Sequence, residues 1–372
     1  MSTILPHLAV DPGWLTEQLI ARGCLEADNE VREVTMEQMA FIGSTSDMAR
    51  ARLAYRTSAP AAPNSVIVKT RGRDDARVQL DALLGLFDRE AYFYNELAPR
   101  LPLRTPRAFG IGDGHATQLV LEDLGGLRTG DQSKDLALAD AERCVDALAD
   151  LHSASWDSAD LDDPRLMRPQ SPDLAQVNAG LMASGVQVAR SILADEFPRS
   201  ALDRIPEDPD EWSAMLVQLG KGPLTLIQND CRADNLFFAS DGEPVFVDWQ
   251  IASAARASQD LANLLAGSLS GNDLTHGVPG LLSRYHTRLI ANGVNGYTFD
   301  DLYGHYRQSV VWPLGQGLFL LGMSEATDGR GVGRRIVRRA LGHAIELNSF
   351  AAFGTTATTA SVTNFVDGGR RD

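Results

Sequence analysis

The order of apolar and polar residues divides the chain into a strand-rich front part and a mainly helical remainder. Residues 31–70 contain three alternating runs, VREVTMEQMAFIG, ARARLAYR and SVIVKT, separated by turn-forming residues at 43–46 and 60–64. Alternate side chains of a strand face opposite sides of a sheet. The pattern therefore predicts an antiparallel meander, preceded by a short helix at about residues 14–22.

A helical period replaces this alternation from Asp81 to Leu97, where one predicted helix has an apolar face. The apolar positions of that face are Leu83, Leu86, Phe93 and Leu97. A short strand pair follows, around RAFGIG and TQLVLEDL. Beyond Asp131 the pattern is mainly helical, and one β-hairpin interrupts it, with NLFF and VFVDW on either side of the turn ASDGEP.

These elements predict an α+β fold with two domains. The first is a nucleotide-binding lobe at residues 1–122, with a small antiparallel sheet and a leading helix. The second is a larger, mainly helical lobe at residues 123–353, which contains the catalytic loop and the metal site proposed below. Residues 354–372 are rich in Thr, Gly and Ser, which is typical of a flexible tail.

Composition and charge narrow the classes of partner. The 372 residues are 44% hydrophobic and 22% charged, as in a globular protein with a sizeable core. A net charge of -15 disfavours nucleic acid and anionic membranes, because like charges repel. Three distant cysteines form no CxxC pair, and the sequence predicts neither a signal peptide nor a membrane span. We expect a cytoplasmic protein, whose oligomeric state the sequence leaves open.

The segment LIQNDCRADNLFF places polar residues between two apolar runs. Asp230 and Asn235 have the spacing DxxxxN, and the predicted hairpin should bring Asp248 back beside Asn235. Amide and carboxylate oxygens suit Mg²⁺, so Asn235 and Asp248 are the predicted metal ligands. This layout is typical of kinases, in which Asp230 would accept the proton and Arg232 would reach the γ-phosphoryl group. The simpler interpretation is a polar loop of ordinary turn formers, against which the hairpin and Asp248 argue.

A kinase also needs a cation for the α- and β-phosphates, and Lys69 at the end of SVIVKT is the predicted one. Glu90 falls on the apolar helical face, where an unpaired carboxylate would be costly to bury. An ion pair between Lys69 and Glu90 explains both positions. If Glu90 lies on the surface instead, Lys69 is an ordinary lysine at a strand end.

Two further segments are predicted to contact the nucleotide. Gly43 and Ser44 begin a tight hairpin whose backbone N–H groups and hydroxyls would bind phosphate. This segment lacks the GxGxxG of protein kinases, which argues against a protein kinase. Glu122 and Leu124 in LVLEDL would pair with adenine through their backbone, although an ordinary strand fits the sequence equally well.

The residues together predict a kinase that uses ATP and Mg²⁺ to phosphorylate a hydroxyl group of a small molecule. The alternative is an ATP-binding pseudokinase that acts as a regulatory or scaffold module. Metal-dependent hydrolysis ranks last, because the His-rich ligand sets of such sites are missing. Acidic loops such as SADLDDPR suit a cationic acceptor, an aminoglycoside or an amino alcohol. An uncharged hydroxylated metabolite remains open.

The chain resembles the aminoglycoside phosphotransferase and choline kinase family, and within it the ecdysteroid-kinase-like branch. The matching motifs occur in family order over roughly residues 40–270: SVIVKT, FDREAYFYNEL, LVLEDL, LADLHSASW, QNDCRADNLFF, VFVDWQ and ASQDLANLL. The resemblance implies a two-lobed, protein-kinase-like fold. It also implies the roles given above for the lysine, its helix partner, the catalytic aspartate and the two metal ligands.

The resemblance adds three expectations about supporting residues. Asp260 is similar to the family aspartate that braces the catalytic loop. His152 matches a family histidine, for which simple packing within a helix is the interpretation we favour. Gln228 stands where the family usually has a histidine that holds the loop. Because glutamine also donates and accepts hydrogen bonds, we expect activity to survive.

Overall fold

The structure is a computed structural model, and the residues that it describes are 6–39, 45–112, 118–323 and 331–354. The predicted tail lies outside these residues from 355 onward. None of the helices in the described ranges is long and apolar enough to cross a membrane.

The chain forms two compact units. The first comprises Met1–Arg128 and Phe237–Ala252, and the second comprises Thr129–Leu236 and Ser253–Asp372. The first unit thus includes Asp248, although Asp248 follows the second unit's catalytic loop in sequence. The sequence-based boundary between residues 122 and 123 stays a prediction.

The first 129 residues contain three helices and six strands within the described ranges. Their bounds are α1 (Pro12–Ala21), β1 (Val31–Gln38), β2 (Ser46–Tyr55), β3 (Ser65–Arg71), α2 (Asp75–Leu84), α3 (Leu86–Tyr92), β4 (Ala108–Ile111), β5 (Gln118–Glu122) and β6 (Arg128–Thr129). A π-helical turn, Phe93–Leu97, continues α3.

An antiparallel sheet of order β1-β2-β3-β5-β4 is the frame of the first unit. The predicted meander and strand pair are therefore confirmed. Lys69 lies on the central strand β3, opposite Met48 of β2 and Leu119 of β5. Neighbouring strands pair with both edges of β3, and the Lys69 residue is only 5% exposed. Helix α1 begins where the Asp11 side chain accepts a hydrogen bond from the Trp14 N–H, which satisfies an unpaired donor of the first turn.

The single helix predicted for residues 81–97 is wrong, because Gly85 breaks it. Gly85 has a left-handed backbone, with φ of 63°, and its N–H donates to the Asp81 carbonyl at 2.7 Å, which ends α2. The Asp81 carboxylate then accepts the Phe87 N–H at 2.9 Å and caps α3. Leu83, expected on the buried face, is 53% exposed.

The remaining described chain is mainly helical, and its elements are α4 (Leu138–Ala154), α5 (Pro172–Ala183), α6 (Val186–Ile192), α7 (Arg199–Leu202), α8 (Pro209–Leu219), β7 (Thr225–Ile227), β8 (Leu236–Phe238), β9 (Pro244–Phe246), β10 (Ser253–Ala255), α9 (Ala257–Ser268), α10 (Val278–Ala291), α11 (Phe299–Ser309), α12 (Val311–Gly322) and α13 (Val332–Glu346). Strands β8 and β9 form the predicted hairpin, closed by the Ala239 N–H donating to the Glu243 carbonyl at 2.9 Å.

The core of the second unit lies between α5, α6, α8, α12 and α13. Trp212 and Leu314, both fully buried, are among its members. The connection between α5 and α6 approaches α12 very closely at Gly185, where a Cβ atom would lie 1.9 Å from the Leu318 carbonyl oxygen. Only a residue without a side chain fits there.

Gly185→Ala should destabilise the protein by about 2 kcal/mol or more, because a backbone oxygen cannot move aside as a flexible side chain can. Gly180→Ala is the matched control, since a Cβ there meets nothing within 4 Å and alanine favours a helix by up to about 1 kcal/mol. Urea denaturation of both variants measures the difference. Equal unfolding midpoints would contradict the close approach.

Candidate functional site

A buried lysine joined to two carboxylates is the centre of the candidate site in the first unit. The Lys69 side chain is 6% exposed, and its Nζ lies 2.5 Å from Glu90 Oε2 and 3.1 Å from Asp248 Oδ1. Glu90 is buried on α3. The predicted ion pair between Lys69 and Glu90 is therefore present, and Asp248 shares the same ammonium group.

Burial and charge act in opposite directions on these groups. Burial by itself lowers the pKa of Lys69, but the carboxylates of Asp248 and Glu90 outweigh it and raise that pKa. Burial raises the pKa of Glu90 from 4.5 to about 7, while Lys69 opposes the rise and Asp248 adds to it. Two carboxylates share one ammonium, so Glu90 keeps a proton to a higher pH than an exposed glutamate does.

The backbone around Asp248 departs from the predicted strand. Strand β9 ends at Phe246, and Asp248 has a left-handed backbone with φ of 62°. The next residue, Trp249, stacks on Phe93 with ring centroids 3.9 Å apart and an interplanar angle of 6°. Phe93 follows α3, the helix that carries Glu90. The stack therefore ties the Asp248 segment to the Glu90 helix, in addition to the contact through Lys69.

The second unit holds the predicted catalytic loop. The Asp230 carboxylate accepts a hydrogen bond from Asn235 Nδ2 at 2.7 Å and contacts Arg232 Nε at 3.2 Å. Arg232 also donates to Asp234 Oδ2 at 3.1 Å, and Asp234 Oδ1 accepts the Gln132 N–H at 2.9 Å. Asp234 thus joins Arg232 to the backbone at Gln132 and shapes the loop. The guanidinium of Arg232 lies between two carboxylates, and its role at a γ-phosphoryl group stays a prediction.

Asp260 braces this loop from helix α9. Its two carboxylate oxygens accept the Gln228 N–H at 2.8 Å and the Asn229 N–H at 2.6 Å, and the residue has no exposed surface. Gln228 adds a second brace, because its Oε1 accepts the Asp230 N–H at 2.6 Å. The glutamine at the usual histidine position therefore binds the backbone of the predicted general base directly.

Sequence reasoning missed the residues that hold Asn229, which immediately precedes Asp230. Asn229 is buried and has φ of 71°, a backbone region that non-glycine residues rarely adopt. Its carbonyl accepts hydrogen bonds from Asn263 Nδ2 at 2.7 Å and Gln316 Nε2 at 2.9 Å. These donors lie on α9 and α12, and in sequence they look like ordinary polar residues of a helix.

The interpretation of His152 as a packed helical residue is incomplete. His152 is fully buried, but its Nδ1 lies 2.8 Å from the Tyr285 hydroxyl and its Nε2 lies 3.3 Å from Asp260 Oδ2. The histidine therefore belongs to the polar support of the loop brace. Its position in the helical stripe gave no sign of this, because Tyr285 and Asp260 are distant in sequence.

The remaining predicted contacts have mixed outcomes. Gly43 and Ser44 lie outside the described residues. Glu122 ends β5, and its N–H donates to the Arg107 carbonyl at 2.8 Å. Leu124 accepts the Leu127 N–H through its carbonyl at 2.8 Å. The roles of Glu122 and Leu124 at adenine stay predictions.

The donor atoms of Asn235 and Asp248 fit a magnesium ion. Asn235 uses its Nδ2 within the loop, so its amide oxygen is the atom that a cation would meet. The Asp248 side chain is 28% exposed. The described residues contain no group of three or more His, Cys, Asp or Glu side chains that could hold a metal, but Mg²⁺ takes much of its shell from phosphate and water. Because these two residues belong to different units, their pairing stays a prediction.

Solved structures with a similar fold include small-molecule kinases. LicA, a choline kinase from Streptococcus pneumoniae solved with AMP, is 15% identical, with 90% of this chain and 98% of that chain covered and a TM-score of 0.51. A choline kinase from Cryptosporidium parvum is 12% identical, with coverages of 90% and 96% and a TM-score of 0.51. Spectinomycin phosphotransferase with ADP and spectinomycin is 12% identical, with coverages of 91% and 99% and a TM-score of 0.50.

These likenesses confirm the predicted protein-kinase-like fold, in which the described chain supplies a five-stranded antiparallel sheet and a mostly helical part. The model of the ecdysteroid kinase-like family matches residues 43–293. The chain belongs to this family, as the motifs predict. Comparison with curated proteins finds no match.

The raised pKa of Glu90 predicts a pH-dependent stability. A group whose pKa is higher in the folded state stabilises the fold fully below its unfolded pKa, and this contribution is lost as the pH rises through the folded value. Between pH 4.5 and about 7, the wild type should therefore lose stability relative to Glu90→Gln, which does not titrate. Urea denaturation at several pH values measures this difference. Parallel pH profiles of the two proteins would contradict it.

Proposed function

We propose that the protein is a kinase that transfers the γ-phosphoryl group of ATP to a hydroxyl group of a small molecule, with Mg²⁺ as cofactor. The observation that carries the proposal is Lys69, a buried ammonium bound to Glu90 and Asp248. Desolvation of such a group costs several kcal/mol per ion, and buried ionisable groups with specific charge partners are concentrated at functional sites. A lysine that a helix glutamate orients is the cation with which kinases bind phosphates.

The roles within the first unit follow from charge and position. Lys69 would bind the α- and β-phosphates, with Glu90 fixing the direction of its ammonium group. Gly43 and Ser44, for which the sequence predicts a turn, would supply N–H donors to phosphate, and the backbone of Glu122 and Leu124 would bind adenine. These three sets of contacts would position the nucleotide, which is most of what phosphoryl transfer requires from a protein.

The second unit would supply the proton chemistry. Asp230 would accept the proton of the attacking hydroxyl as its oxygen bonds to the γ-phosphorus, while the bond to the bridging oxygen breaks and ADP leaves. The amide of Asn235 holds the Asp230 carboxylate in place, and Arg232 would turn toward the transferred group and offset its charge. Asn235 and Asp248 would hold Mg²⁺, which when bound neutralises charge on the phosphates.

The acceptor is proposed only as a class. The structural relatives named above include choline kinases and a spectinomycin phosphotransferase, and the family is called ecdysteroid kinase-like. These names support a hydroxylated small molecule and leave its charge open. The acidic character of the chain, with a net charge of -15, favours a cationic acceptor such as an aminoglycoside or an amino alcohol.

Asp230→Asn should lower turnover by about 10² to 10⁴-fold, because the amide cannot accept the proton. The measurement is ADP release with ATP, Mg²⁺ and a panel of cationic and neutral hydroxylated acceptors. Asp195→Asn makes the same change at an exposed position of the same unit and should keep full activity. Equal turnover of wild type and Asp230→Asn would overturn the proposed role. Thermal stabilisation by nucleotide without any turnover would favour the pseudokinase.

Gln228→Leu should lower kcat by about fivefold and leave the KM for ATP unchanged. The variant removes the acceptor of the Asp230 N–H, and one buried hydrogen bond is worth about 1 kcal/mol. Gln228→His provides a ring nitrogen in place of the amide oxygen and should recover part of the loss. Gln187→Leu, at an exposed position of α6, is the control. A kcat unchanged in Gln228→Leu would show that this hydrogen bond does not position Asp230.

A further inference from the structure

The carboxylate of Asp123 collects hydrogen bonds from three parts of the first unit. Its Oδ2 accepts from Arg50 Nε at 2.6 Å and from Ser65 Oγ at 2.6 Å. Its Oδ1 accepts from the Gly125 N–H at 2.9 Å and from Arg50 Nη2 at 3.2 Å. Arg50 lies on β2 and Ser65 begins β3. One side chain therefore joins two neighbouring strands to the segment that follows β5.

The location of this carboxylate is unusual in relation to the proposed nucleotide site. Asp123 lies between Glu122 and Leu124, the two residues proposed to bind adenine. Its side chain is 9% exposed and that of Arg50 is 29% exposed. The pair is therefore partly buried, and a charge-assisted pair of this kind with two hydrogen bonds has a more defined geometry than a fully exposed one. The Asp123 side chain thus joins the segment 122–125 to strands β2 and β3 of the sheet.

The backbone is adapted to this contact at Gly125. A Cβ atom at Gly125 would lie 2.6 Å from Arg50 Nη2 and 3.0 Å from Asp123 Oδ1. A side chain there would push the guanidinium away from the carboxylate. The glycine therefore permits Arg50 to approach from β2.

Asp123 is charged under ordinary conditions. Burial alone raises its pKa, but the hydrogen bonds from Arg50, Ser65 and the Gly125 N–H outweigh burial and lower the pKa below its usual value. Protonation would remove the negative charge that holds Arg50, and the lowered pKa moves this loss to more acidic pH.

We propose, resting on the proposed function, that Asp123 is a positioning residue for the adenine base. The carboxylate fixes the backbone of residues 122–125 against β2 and β3, so that the groups that bind adenine are held in place before the nucleotide arrives. Preorganisation of this kind strengthens binding, because the segment loses little freedom when the ligand binds. Asp123 itself does not touch the nucleotide.

A second ion pair on the same sheet provides a matched control. Arg52, also on β2, contacts Glu37 of β1, and the two side chains are 60% and 37% exposed. This pair has the same chemistry, but its carboxylate lies on β1, which β2 and β3 separate from β5. Glu37 lies opposite Arg50 in the strand register, so Glu37→Gln removes a carboxylate near the same arginine while the Asp123 carboxylate stays in place.

The experiment compares the binding of ADP and of inorganic tripolyphosphate, each with Mg²⁺, by titration calorimetry on the full chain. Asp123→Asn should weaken the binding of ADP about tenfold, which corresponds to the loss of a charge-assisted hydrogen bond. Its affinity for tripolyphosphate, which has no base, should not change. Glu37→Gln should bind both ligands like the wild type. A general loss of structure in the unit would weaken the binding of both ligands to a similar extent.

The outcomes distinguish this inference from the proposed function. A wild type that binds neither ligand overturns both. A wild type that binds ADP, with an unchanged ADP affinity in Asp123→Asn or an equal loss for both ligands, overturns the positioning role alone. If Asp123→Asn does not fold, Ser65→Ala removes one hydrogen bond from the same carboxylate and keeps its charge. That variant should show a smaller loss confined to ADP, and an unchanged ADP affinity would again overturn the role.

Discussion

The burial of the Lys69 ammonium is the constraint on which the first unit depends. An ammonium removed from water is stable only if partners replace its hydration, and here two carboxylates do so. Meeting this requirement fixes the direction of helix α3 through Glu90 and the path of the chain at Asp248. The stack of Trp249 on Phe93 strengthens the same arrangement with apolar contact. The site is thus held by charge and packing together.

The second unit also buries a charged group, but there the group is a carboxylate and backbone N–H groups stabilise it. Asp260 is fully buried, and backbone N–H groups of the catalytic loop supply its hydrogen bonds, with His152 beside it. The dipoles of N–H groups can stabilise a buried carboxylate when they are fixed in direction. Because each unit satisfies its own buried charge, the two sets of candidate residues are locally self-supporting.

The features that depend on local residue patterns and on charge could be predicted from the sequence. Strand alternation gave the meander, and the cost of burying Glu90 on an apolar face correctly pointed to Lys69. The break at Gly85 was missed because the apolar spacing continues across it, although a glycine within a helical pattern is a recognised warning. The support of Asn229 was beyond reach, because Asn263 and Gln316 meet its carbonyl only after α9 and α12 have packed.

The left-handed backbones of Asn229 and Asp248 have a consequence for engineering. A common route to a more heat-resistant variant replaces non-glycine residues of positive φ by glycine, which relieves roughly 1–2 kcal/mol of steric cost. At Asn348, which has φ of 51° beyond the end of α13, that exchange is reasonable. At Asn229 and Asp248, exchange for glycine would also relieve the backbone strain, but it would remove side chains that belong to the candidate site. Stability and activity are therefore set against each other at these two residues.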